Sequence, residues 1–155
     1  MIKKLALDEI LKINDQIWNM AQKSSDIEYS GHNDYIIRED RVKYLIDNTP
    51  NEGLIDIAAY YLKNLILLQS FADANHRTAF EAVRYFFHKN NVSFRWHPDS
   101  VDNFRMKIYD LRLKIYGTYE EKSISVLKES KNELYDCCKS YIEKTIEMLE
   151  LTEFD

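Results

Sequence analysis

The sequence predicts an all-α domain, and three observations carry that expectation. Only three Gly and two Pro occur in 155 residues, too few for the many turns of a sandwich or barrel. Apolar residues, 45% of the chain with 13% aromatics, recur at helical spacings of three and four. One stretch, residues 52–68, is apolar on nearly every side, which marks the buried central helix of a bundle.

In chain order, the first helix is expected over residues 8–22, with Leu7, Ile10, Leu11, Ile17, Trp18 and Ala21 near one face and Asp8 as cap. Residues 24–37, SSDIEYSGHNDYII, are polar and turn-rich and read as a loop, with an extended piece at Tyr35-Ile36-Ile37. A short helix over 39–47 turns Val42, Leu45 and Ile46 inward, and Pro50 closes it. After the apolar helix, QSFADAN breaks the pattern. Helical period then resumes through Ala79, Ala82, Val83, Phe86 and Phe87 and stops at Asn90-Asn91. Pro98, Asp99 and Ser100 open a helix whose seam is Val101, Phe104, Ile108, Leu111 and Ile115, ending at Gly117. Thr118 and Glu121 have capping-box spacing, so a last helix is expected from there, its stripe running through Ile124, Leu127, Leu134, Cys138, Tyr141, Thr145 and Leu149. No repeat or linker divides the chain. It reads as one domain, residues 1–155, of which about 130–155 form a C-terminal helical extension.

A net charge of −5 and a pI near 5.4 argue against wrapping duplex nucleic acid by phosphate neutralisation. Cys137 and Cys138 are neighbours, badly placed for an ordinary disulfide, and read as small hydrophobes in a reducing compartment. No spaced Cys/His set points to zinc. Charge interrupts the first residues too early for a signal peptide, and no run approaches ~18 apolar residues. A cytoplasmic protein without a membrane span is expected.

The segment Gln69-Ser70-Phe71-Ala72-Asp73-Ala74-Asn75-His76-Arg77-Thr78-Ala79 carries the chemistry. A buried helix ends, a tight turn follows, and a new helix opens at about Asn75. Free N–H groups at a helix start, reinforced by the dipole, bind anions. Arg77 in the first turn adds a forked cation suited to phosphate oxygens. Asp73 is placed to hold a magnesium ion on the same phosphates, and Asn75 to cap the helix and donate to an oxygen. The plainer reading is that Asp73 or Asn75 is only a helix cap and Arg77 a solvated residue.

This segment resembles the Fic/Doc motif, HxFx(D/E)(G/A)N(K/G)R, and especially the Doc branch, HxFxDANKRTA. Phe71, Asp73, Ala74, Asn75, Arg77, Thr78 and Ala79 match in place. The likeness covers about residues 5–130, strongly at 69–91, and loosely at LALDEILKIND, SGHNDYIIREDRVKYLID and GTYEEKSISVLK. The resemblance implies a compact helical bundle with a short β-hairpin flap at Tyr35–Ile37 that docks a target peptide by strand addition. It also implies ATP or another nucleoside triphosphate as cofactor, Mg2+ on Asp73, and phosphates held by Phe71, Asp73, Ala74, Asn75, His76 and Arg77. AMP-transferring members carry a second Arg three positions after the first, and Phe80 stands there. The Doc-like arrangement implies transfer of the terminal phosphate to a protein hydroxyl, on a translation elongation factor, by a toxin restrained by an antitoxin. The C-terminal stripe, Leu134 to Leu149, is suited to packing on the domain, to such an antitoxin, or to a homodimer.

Two positions depart from the motif. Gln69 stands where the family has its proton-accepting histidine; glutamine hydrogen-bonds a hydroxyl but cannot take its proton, and loss of a general base costs ~10²–10⁴ in rate. Activity is therefore expected to be weak or absent, the alternatives being an AMP-transferase with another base and a non-enzymatic interaction protein. His76 replaces Lys or Gly, and reads as an imidazolium on phosphate, a substitute base, or a solvated residue. Ser125 and Glu129 have the spacing of the family's inhibitory helix, but Ser130 follows in place of Gly or Asn.

Overall fold

A computed structural model describes residues 1–23, 38–68, 75–118, 122–129 and 131–153. They form six α-helices, with no strand among them: α1 (Leu7–Lys23), α2 (Glu39–Asp47), α3 (Leu54–Leu68), α4 (Asn75–Lys89), α5 (Pro98–Tyr116) and α6 (Glu133–Glu153). A 3-10 turn, Ile124–Lys128, precedes α6. Among these residues no helix is long and apolar enough to cross a membrane. The extended piece expected at Tyr35–Ile37 lies outside the described residues.

α3 is the axis of the molecule. Every residue from Ile57 to Leu68 is buried, and the helix packs chiefly against α4 and α6. One continuous core joins it to Ile10 of α1, Val42 and Leu45 of α2, and Ala79, Ala82, Val83, Phe86 and Phe87 of α4. Burial of so many large side chains, at ~25 cal/mol per Å2 of apolar surface, is what sets the fold. An aromatic chain extends the core outward, from Tyr61 edge-on to Phe86, through Phe87 stacked on Phe94 at 4.5 Å, to Trp96 and Phe80.

Polar ties fix the helix ends. Tyr61 Oη accepts from the Leu5 backbone at 3.0 Å, and Lys89 pairs with Glu9 at 2.6 Å, holding the first residues across α3 and α4. Beyond α4, Asn91 adopts a positive φ of 62°, a left-handed position that Asn tolerates. Gly117 ends α5 at φ 74°, its amide bonding Leu113 O at 2.9 Å, the αL cap for which glycine is suited.

The last helix does not begin at Thr118. The chain leaves α5 at Gly117, and the Lys122 amide then donates to Leu67 O at the end of α3 (2.9 Å), while Arg41 reaches the Lys122 carbonyl. Those ties hold the segment as connection and 3-10 turn, leaving Ile124 exposed. α6 starts after Asn132, whose Oδ1 accepts the Tyr135 amide at 3.1 Å, the side-chain cap the chain actually uses. Leu134, Tyr135, Cys138, Ile142 and Thr145 are buried, so the stripe of α6 packs on α3 and α5. Both cysteines are free thiols, Cys138 in the core and Cys137 half-buried.

Candidate functional site

α4 opens at Asn75, where the broken sequence pattern placed a helix start. Gln69, Phe71, Asp73 and Ala74 lie outside the described residues, as does the side chain of Asn75. Each other α-helix carries an acid in its first turn: Asp8 and Glu9, Glu39 and Asp40, Asp56, Asp99, and Glu133 and Asp136. α4 carries none; His76 and Arg77 stand there. Acids near a helix start satisfy its partial positive charge, so the first turn of α4 keeps its attraction for an outside anion.

The first-turn side chains divide three ways. Arg77 is exposed and directed to solvent. Thr78 is buried, and its Oγ1 accepts from Asn14 Nδ2 of α1 at 3.1 Å. His76 is largely buried between the helices, its ring stacked on Tyr109 of α5 at 5.5 Å with a 24° interplanar angle. Burial, then the charges of Arg105 and Arg112, lower its pKa from 6.5 to about 4. The imidazole is therefore neutral at pH 7. So weak a base is poorly matched to taking a proton near neutrality, which counts against the substitute-base reading. It is not the solvated residue of the plainer reading either.

Arg105, Tyr109 and Arg112 are positions i, i+4 and i+7 of α5 and form one stripe toward the start of α4. Arg112 is 1% exposed, a fully buried guanidinium. Sequence reasoning followed the apolar seam of α5 and passed over this second stripe. Its signal was the R-x3-Y-x2-R spacing beside Phe104 and Ile108, the other α5 residues the fold buries. Arg105 and Arg112 thus put positive charge beside His76 from α5, while Arg77, on the first turn of α4 itself, is the exposed guanidinium that suits anionic oxygens.

Phe80, one turn beyond Arg77, points into the core and packs edge-on against Trp96 and Phe104. Arg84 is engaged with Glu81 at 2.9 Å. His88 meets the Phe94 backbone carbonyl at 3.0 Å, and His97 is exposed at the start of α5. The segment from Ser125 to Glu129 is a 3-10 turn and not the inhibitory helix its spacing resembled. Among the described residues no cluster of His, Cys, Asp or Glu could hold a metal ion; the metal position expected at Asp73 lies outside them. No protein-family model, curated protein or solved structure compared with this chain matches it.

Proposed function

We propose that the chain is a cytoplasmic Doc-like Fic-fold protein that binds the phosphates of an ATP-type nucleotide at the start of α4, with transfer to a protein hydroxyl weak or absent. The observation that carries this reading is the acid-free first turn of α4, which bears the exposed Arg77 and whose His76 feels the charges of Arg105 and Arg112, together with the motif-like residues 69–79. Asn75 and Arg77 hold phosphate oxygens, and Phe71 and Ala74 line the turn before them. Magnesium on Asp73, when bound, would neutralise phosphate charge and fix the phosphate geometry.

In the full reaction a target hydroxyl oxygen bonds to the terminal phosphorus as the bond to the bridging oxygen breaks, releasing a nucleoside diphosphate. The hydroxyl proton needs an acceptor. Gln69, in that position, offers none, and His76 faces α5 with its basicity suppressed. Transfer of the terminal phosphate is favoured over AMP transfer because the place of the second arginine is filled by Phe80, turned into the core. In this reading residues 35–37 form the flap that aligns an elongation factor, and an antitoxin restrains the active relatives.

A Mg-ATP titration followed by thermal unfolding tests the binding step. Saturation at ~100 times the dissociation constant stabilises by about 2.7 kcal/mol, or roughly 5–10 °C for a domain of this size. The Gln69→His variant, assayed with α- and γ-labelled ATP, tests the chemistry. Transfer of the γ label alone, absent in the parent, supports the reading; a folded, ATP-binding variant that transfers neither label refutes it.

A further inference from the structure

A separate cavity of about 150 Å3 opens between α3, the 3-10 turn and the beginning of α6. Two adjacent α3 residues line it, Lys63 at 4% and Asn64 at 3% exposure. Asn64 Nδ2 donates to Tyr60 O at 2.9 Å, but its Oδ1 is buried without a hydrogen-bond partner. Lys63 has no carboxylate within ion-pairing distance among the described residues; Glu129, farther off across the cavity, is the negative charge it feels most. The remaining wall groups are committed. Tyr60 Oη donates to Leu45 O at 2.6 Å, and Tyr135 Oη to Asp56 Oδ1 at 2.7 Å, which Lys139 also binds at 2.9 Å. Glu129 accepts from Tyr116 Oη at 2.9 Å and keeps its second oxygen.

An acceptor buried without a partner costs stability unless something satisfies it, and the Lys63 cation lies in the same cavity wall. The space is several times the ~30 Å3 that one water occupies in the liquid. The complementary molecule carries an anion beside an N–H donor. Glu129 favours that donor being cationic.

We propose that this cavity binds a small free α-amino acid, its carboxylate on Lys63 and its ammonium donating to Asn64 Oδ1 on the side of Glu129. Burial lowers the pKa of Lys63, and a bound carboxylate would restore the preference for its charged form. The site asks nothing of the start of α4, so it stands or falls apart from the nucleotide reading.

The test is calorimetric titration of the full chain with glycine, L-alanine, L-serine, L-lactate, acetate and L-phenylalanine. Saturable binding is expected for the three small amino acids, at least about tenfold weaker binding for L-lactate and acetate, and none for L-phenylalanine, which the volume excludes. Lys63→Met removes a buried charge and is expected to fold while losing binding. Glu129→Gln, at the rim, weakens the amino acids toward the level of L-lactate and serves if Lys63→Met does not fold. The proposal is overturned if none of the small amino acids binds saturably, if L-lactate binds as well as L-alanine, or if both variants bind like the parent.

Discussion

Replacing His76 with phenylalanine keeps a ring against Tyr109 but removes a titrating group from between two guanidinium groups. In the folded chain that imidazole has its pKa lowered from 6.5 to about 4, by burial first and then by Arg105 and Arg112. The unfolded chain therefore binds the extra proton between pH 6.5 and about 4, and the folded chain does not. By linkage the native state loses stability as pH falls through that window and is unaffected by this residue above it. Each tenfold loss of proton affinity on folding is worth about 1.4 kcal/mol, so the native state gives up about 3 kcal/mol by pH 4. Glu9 and Asp56 act in the same direction. For Glu9, burial is opposed and outweighed by Lys89 and Tyr85, and for Asp56, Lys139 and Tyr135 dominate; both carboxyls end below their usual range. The informative quantity is thus the difference between parent and His76→Phe. Urea unfolding across pH 4–7 should show the parent falling more steeply, by about 3 kcal/mol in total, and an NMR titration should place the ring near 4. A midpoint near 6.5, or parallel stability curves, would refute the assignment of His76 to an electropositive interior. A bound dianion should offset the arginine charges, so sulfate, which does not titrate here, should bind more tightly as pH falls from about 7 to about 5 in the parent and not in His76→Phe.

Arg77→Ala should leave unfolding stability within about 0.5 kcal/mol, since the side chain is exposed, yet abolish stabilisation by Mg-ATP; an unchanged ATP shift counts against the site. Thr78→Val keeps the shape but takes the acceptor from Asn14 Nδ2, so a loss of about 1–2 kcal/mol is expected in urea melts. Gly117→Ala meets no atom within 4 Å and carries only the strain of φ 74°, about 1 kcal/mol, read as a Tm drop of a few degrees.

The helix inventory was legible because it rests on periodicity. The all-round apolar run of residues 54–68 became the buried α3, and helices ended at Asn90-Asn91 and at Gly117 as their residue types suggested, with Asn91 and Gly117 taking positive φ. The last helix was misplaced because a capping box is a local signal. The backbone bond from Lys122 to Leu67 and the Arg41 guanidinium on the Lys122 carbonyl act across long sequence separations and overrule it. At the site, the helix start could be read from the break after Leu68, whereas the neutral state of His76 could not. That state depends on Arg105 and Arg112, about thirty residues downstream, being folded against it. Lys63 and Asn64 escaped notice for a related reason. In a helix buried on every side, two polar residues look like interruptions until the cavity beside them is seen.

The burial of α3 on all sides divides the freedom of the molecule unevenly. Almost any change along that helix disturbs packing and leaves a cavity or strain behind. α5 is different: only Phe104, Ile108 and Arg112 of its nineteen residues are fully enclosed. Substitutions can accumulate on its outer rows while the scaffold holds. Diversification of what is recognised near His76 is accordingly channelled to α5, which among the described residues reaches α3 only through α6.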